Sequence, residues 1–130
     1  MITTSDIAQV IHKDCRGFGI PLYISGNIPV GDVDEERIVI IPKTIEDGTR
    51  WYRCFAEVNW LVPDIKGEAD RRRLGVVERL LKPLFYRQGV IDGTQYRYRK
   101  YSTGIEQERG LDCHYVNLRL LIEIQKVIEK

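Results

Sequence analysis

Cysteine is sparse in this chain: three residues among 130, at Cys15, Cys54 and Cys113. An odd number at such wide spacings argues against a disulfide framework and against paired CxxC zinc ligands. The thiols are therefore expected to be reduced, and Cys54 and Cys113, each in an apolar-alternating stretch, read as small buried hydrophobes. Histidine is scarcer still. His12 lies in a short helical pattern and His114 opens a strand pattern, so neither sits beside a nucleophile as covalent catalysis requires. Cys113 and His114 are neighbours, and neighbours on a strand point to opposite faces. HxxxH zinc spacing is missing, and the glycines form neither GxxxxGK[ST] nor GxGxxG, so no phosphate cradle is expected. Pro63-Asp64 offers the first half of a divalent-ion nuclease signature, but no strand supplies the ExK half, and Glu123 and Lys126 are wrongly spaced for it. These absences point away from an enzyme and leave no cofactor or metal to expect. Long apolar runs are missing too. Trp60 to Val62 and Leu120 to Ile122 fall far short of the roughly 20 residues that span a bilayer. The opening MITTSDIAQVIHKD lacks the basic and unbroken apolar regions of a signal peptide, so the expectation is a cytoplasmic protein with no membrane partner.

What remains is an ordinary globular composition, 43% hydrophobic and 30% charged, long enough for one domain over residues 1–130. A first helix is expected from a Thr4 or Ser5 cap through Ile7, Val10 and Ile11, stopping near Gly17. A Gly/Pro-rich stretch then allows a loop or a brief edge strand around Leu22 to Ile24. RIVIIPKT and TRWYRCFAEVNWLVP flank IEDG in the manner of an antiparallel hairpin, and Pro63 closes its second strand. Leu74, Val77, Leu80, Leu81, Leu84 and Phe85 repeat at three and four residues, which predicts an amphipathic helix over about 67–87 with a kink or stop at Pro83. QYRYRKY reads as a strand and STGIEQERG as a polar loop. The alternation of His114, Val116, Leu118, Leu120, Ile122 and Ile124 predicts a central strand. The expected fold class is α+β, an antiparallel sheet of four or five strands with helices packed on one face, in the order α-β-β-α-β-β.

The net charge of +1 gives no global attraction to nucleic acid, but it is unevenly spread. Residues 1–37 carry three basic and six acidic side chains, and residues 66–101 carry ten basic and four acidic. Asp32, Asp34, Glu35 and Glu36 on one copy could face Arg71, Arg72 and Arg73 on the next, an arrangement suited to head-to-tail association. Alternatively, the two groups are separate solvated faces or pair within one chain. Tyr96, Arg97, Tyr98, Arg99, Lys100 and Tyr101 could stack bases and neutralise phosphates. Tyrosine and arginine are also enriched at protein interfaces, and strand or subunit contact is the stronger reading of that stretch.

The element order, the strand ending in apolar-Val-Pro, the helix ending LLKPL and the closing HYVNLRLLIEI together resemble the tail terminator proteins of tailed phages and related head-to-tail joining and tail-completion proteins. The resemblance covers nearly the whole chain. It implies a structural protein of a phage or prophage, not an enzyme, that forms a ring, often hexameric, at the end of the tail tube. Its partners would be copies of itself, tail-tube proteins and head-completion proteins, in the host cytoplasm during assembly and then in the virion tail. The alternatives carried beside it are a small nucleic-acid-binding module and, behind that, a metal-dependent nuclease.

Overall fold

The computed structural model describes residues 1–26, 31, 33–108 and 110–126. Helix α1 spans Thr4–Cys15. Its cap is Thr3, one residue before the expected position, where Thr3 Oγ1 accepts from the Asp6 amide at 3.1 Å and Asp6 returns the bond to the Thr3 amide at 2.8 Å, a reciprocal capping box. Strands β1 (Leu22–Ile24), β2 (Arg37–Glu46) and β3 (Trp51–Pro63) follow, then helix α2 (Arg71–Leu80), capped by Asp70. Strands β4 (Tyr86–Ile91), β5 (Thr94–Glu108) and β6 (Cys113–Gln125) complete the fold.

The six strands form one sheet in the order β1-β2-β3-β6-β5-β4, with β1 parallel to β2 and every other pair antiparallel. The expectation of four or five antiparallel strands under helices on one face, ordered α-β-β-α-β-β, is therefore corrected to a curled, mixed, six-stranded sheet that dominates the described residues, with two α-helices among them. Three local causes account for the difference. Leu22–Ile24 returns alongside β2 and adds a parallel edge. The helix expected over 67–87 ends at Leu80, because Pro83 has no amide to donate and disfavours helix at Lys82. A 3₁₀ turn over Lys82–Leu84 redirects the chain, and Tyr86–Ile91 then pairs with β5 across Asp92 and Gly93. Both turn residues have positive φ, 48° and 78°, the geometry of a two-residue hairpin turn whose twist matches that of its strands. Finally, most of the expected loop STGIEQERG is strand, because β5 stays paired with β6 as far as Glu108.

The alternation of β3 and β6 places one face in a single core. Cys54, Ala56, Val58, Trp60 and Val62 meet Val116, Leu118, Leu120, Ile122 and Ile124, joined by Ile7 and Ile11 of α1 and Leu74 and Val77 of α2. A smaller cluster, Val33, Val39, Leu61 and Cys113, lies apart from it. A glycine is required at position 89 of β4, where a β-carbon would collide with the ring of Tyr96, its cross-strand partner.

Candidate assembly surface

The acidic and basic runs meet at one point within the chain. Glu36 accepts two hydrogen bonds from Arg73, at 2.7 and 2.8 Å, and a third at 2.8 Å from the buried indole N–H of Trp60. Burial, the largest single influence, pushes the Glu36 carboxyl upward, but the Arg73 and Trp60 hydrogen bonds with the Arg73 charge outweigh it and hold the group below its ordinary 4.5. A carboxylate depressed on folding stabilises the native state above its unfolded pKa, and that contribution disappears as pH falls through the folded value. Wild type is therefore expected to lose thermal stability below pH ~4.5 more steeply than Glu36→Gln, which keeps an acceptor for Trp60 but cannot ionise. Equal slopes in melts recorded against pH would remove this role from Glu36. Asp34, Glu35, Arg71 and Arg72 are exposed, and Asp32 lies outside the described residues.

The stretch singled out on β5 divides by face. Tyr98 is buried and Tyr96 half-buried, whereas Arg97, Arg99 and Tyr101 are exposed. The Tyr98 hydroxyl donates to Asp14 at 2.5 Å, and Arg87 lies 3.7 Å from the same carboxylate. On the opposite face Arg97 lies 4.6 Å from the Trp51 ring centroid and bonds Glu123 at 3.2 Å. Arg119 covers Phe55 at 4.2 Å, and Phe55 meets Tyr101 edge-on at 5.0 Å. Asn117 donates to Glu57 and Asn59 at 2.9 and 2.7 Å. This face carries arginines laid over aromatic rings, with polar ladders between them.

Cys113 and His114 do point apart, and His114 Nδ1 is 2.7 Å from Asp64. Among the described residues no group of three or more His, Cys, Asp or Glu side chains could hold a metal ion, and no helix is long and apolar enough to cross a membrane. All three thiols are buried. Burial is the chief cause that pushes Cys15 up to about 12 and Cys113 up to about 11, and it raises Cys54 as well. Because the thiolate is the reactive form, a thiol reagent at neutral pH is expected to spare the folded chain and to label three sites after denaturation. Labelling of the folded chain would show that one of these sites opens to solvent.

The sheet margins carry the feature that pattern reading missed. The Lys100 amide donates to the Phe85 carbonyl at 2.8 Å, and past that bond, among the described residues, β5 from Ser102 to Glu108 pairs with β6 alone. A bulge at Tyr101 shifts the register by one residue. Peptide groups alternate sides along a strand, so Ser102, Gly104, Glu106 and Glu108 face β6 while Thr103, Ile105 and Gln107 present their N–H and C=O groups outward. Exposed apolar side chains gather along this side: Tyr86, Val90, Tyr101 and Ile105. On the far side β1 covers only Ile38 to Ile40 of β2, leaving Ile41 to Glu46 without an outer partner among the described residues. Pro42 sits there, where a missing N–H costs nothing. The signal available in sequence was the unbroken absence of glycine pairs and prolines from Thr94 to Glu108, which permits one long strand.

No protein-family model matches the chain, and no curated protein matches it. Six chains among the solved structures do. One of them superposes over 99% of this chain and 100% of its own length with a TM-score of 0.57 at 19% sequence identity, a likeness that concerns the fold.

Proposed function

We propose that the chain is a structural subunit that associates head to tail into a ring, in the manner of a phage or prophage tail terminator or tail-completion component. The observation that carries this reading is the pair of open strand margins on opposite sides of one sheet. Head-to-tail rings are made by two different patches of the same chain, and open strand edges with exposed apolar side chains are surfaces that pair with other chains. The resemblance in the strand ending apolar-Val-Pro and in the closing strand supplies the tail context, with tail-tube and head-completion proteins as partners. The test is electron microscopy and sedimentation of the purified chain alone and with tail tubes. Closed rings seated on tube ends are expected, and a chain that stays monomeric and leaves the tubes unattached overturns the reading.

The arginine and aromatic face gives a nucleic-acid module its one supporting observation. Against it, Trp51 and Phe55 are already covered by Arg97 and Arg119, so bases would have to displace both. Salt-sensitive binding of single-stranded DNA would favour that second reading.

A further inference from the structure

We infer that neighbouring copies join through a stepped, lapped sheet margin, in which β1 of one copy seats against the bare half of β5 on the next. The inference rests on the head-to-tail reading above and concerns the same margins. Following the register across the sheet shows the fit. One row runs Leu22, Ile38, Trp60, Val116, Ile105, and a second runs Ile24, Ile40, Val58, Leu118, Thr103. On these rows β1 is present and β4 is absent. Lower rows run Ile45, Cys54, Ile122, Tyr98, Arg87 and Glu46, Arg53, Glu123, Arg97, Gln88, where β4 is present and β1 is absent. Every one of these rows thus crosses five strands, and the upper set begins one strand earlier than the lower. Each margin has a step, and the two steps are complementary.

A second copy displaced sideways along the rows places its β1 in the notch beside β5, above β4. The same displacement brings β4 beside the uncovered half of the copy's β2. Strand directions agree with this placement. β1 runs with β2 and β6, and β5 runs against β6, so β1 meets β5 antiparallel. The peptide groups agree as well. The Ile38 amide donates to the Pro21 carbonyl and the Ser25 amide to the Ile40 carbonyl, both at 2.9 Å, so Pro21 and Ser25 face β2 while Leu22 and Ile24 face outward. Leu22 then lies opposite Ile105 and Ile24 opposite Thr103, each pair able to exchange two backbone hydrogen bonds. Both pairs put their side chains on the core face, where Leu22 and Ile24 already pack and where Ile105 is 39% exposed for so large an apolar group. The positive φ of Gly26, 97°, accompanies a turn directly after β1.

The joint is tested by cross-linking. Residues opposite one another in an antiparallel hydrogen-bonded pair have Cα atoms about 5.5 Å apart, within disulfide reach, and the native thiols are buried. Leu22→Cys and Ile105→Cys chains mixed under mild oxidant are expected to form a covalent heterodimer, with neither variant cross-linking alone. Ile24→Cys with Thr103→Cys is the parallel pair should Leu22→Cys fold poorly. Amide exchange on the wild type gives a reading free of substitution: Leu22, Ile24, Thr103 and Ile105 are expected to slow together at least tenfold on assembly. Ile105→Cys cross-linking to itself as readily as in the mixture would mean a two-fold β5 pair and overturns the joint. Rings that form with those four amides unslowed and the mixture uncoupled overturn the joint while leaving the ring. Cross-linking of the mixture without closed particles upholds the joint and removes the ring. A chain that stays monomeric up to about 1 mM overturns both.

Discussion

Replacing Trp60 with alanine is expected to cost about 3–5 kcal/mol, the range for removing a large aromatic from a core, and to leave the chain close to unfolding at ambient temperature. Trp60 is 1% exposed and lies in the core cluster, with the Phe18 ring tilted against it at 5.2 Å. Its effect is larger than packing alone because its indole N–H is one of the three donors on Glu36. Removing it empties a large volume and leaves a partly buried carboxylate with, among the described residues, Arg73 as its partner. Trp60→Phe separates the two contributions, since it keeps most of the ring and loses the donor. It is expected to be intermediate, and Glu36→Gln should cost less in the Trp60→Phe background than in wild type, as contacting groups are not additive. Urea unfolding with an unchanged m-value measures all of these. A Trp60→Ala loss below about 1 kcal/mol would show that the site collapses around the gap.

Tyr98→Phe comes next, with an expected loss of about 1.5–3 kcal/mol, the range for a hydrogen bond to a charged group. The phenol is 1% exposed and reaches Asp14 at 2.5 Å, tying the C-terminal turn of α1 to β5. Without it, Asp14 keeps, among the described residues, Arg87 at 3.7 Å, a pair with the arginine side chain 41% exposed and therefore a weak substitute. The same bond has an alkaline signature. Burial first, and then the Asp14 hydrogen bond, raises the Tyr98 pKa above its ordinary 10.0. A group raised on folding stabilises the native state below its unfolded pKa and loses that contribution as pH climbs above it. Wild type should therefore fall off above pH ~10 more steeply than Tyr98→Phe. Identical alkaline slopes and a loss under about 0.5 kcal/mol would leave the Tyr98 hydroxyl without a stabilising role.

How much of this was legible in sequence depended on whether a residue's partner left a local trace. The β3 and β6 strands were readable because Cys54 to Val62 and His114 to Ile124 alternate against a buried face, and period two is a local property. The second half of β5 left no such trace. Ser102 to Gln107 are all exposed and Ile105 is the single large apolar side chain among them, too little to show a period, and only pairing with β6 makes the segment a strand. The β4 strand was hidden by its own helix-like approach, although Pro83 and the Asp92-Gly93 pair were the punctuation that divides helix from hairpin. Glu36 and Arg73 stand out by charge, yet they are 37 residues apart, and only the packing of α2 against the folded sheet brings them together. The stepped margin could not be seen at all without the register, because it is set by where β1 and β4 stop.

The place of β6 bears on how the chain is made. It lies at the middle of the sheet between β3 and β5, yet it follows every strand it pairs with in the sequence. Its register with β3 joins residues as distant as Trp51 and Gln125. During synthesis, the inner margin of β3 is complete some 50 residues before Cys113 to Gln125 arrives to cover it. Closing such long loops is slow compared with forming hairpins. Slowing translation of the β6 codons should lengthen the exposure of the β3 margin and lower the soluble yield, with no change to the finished protein.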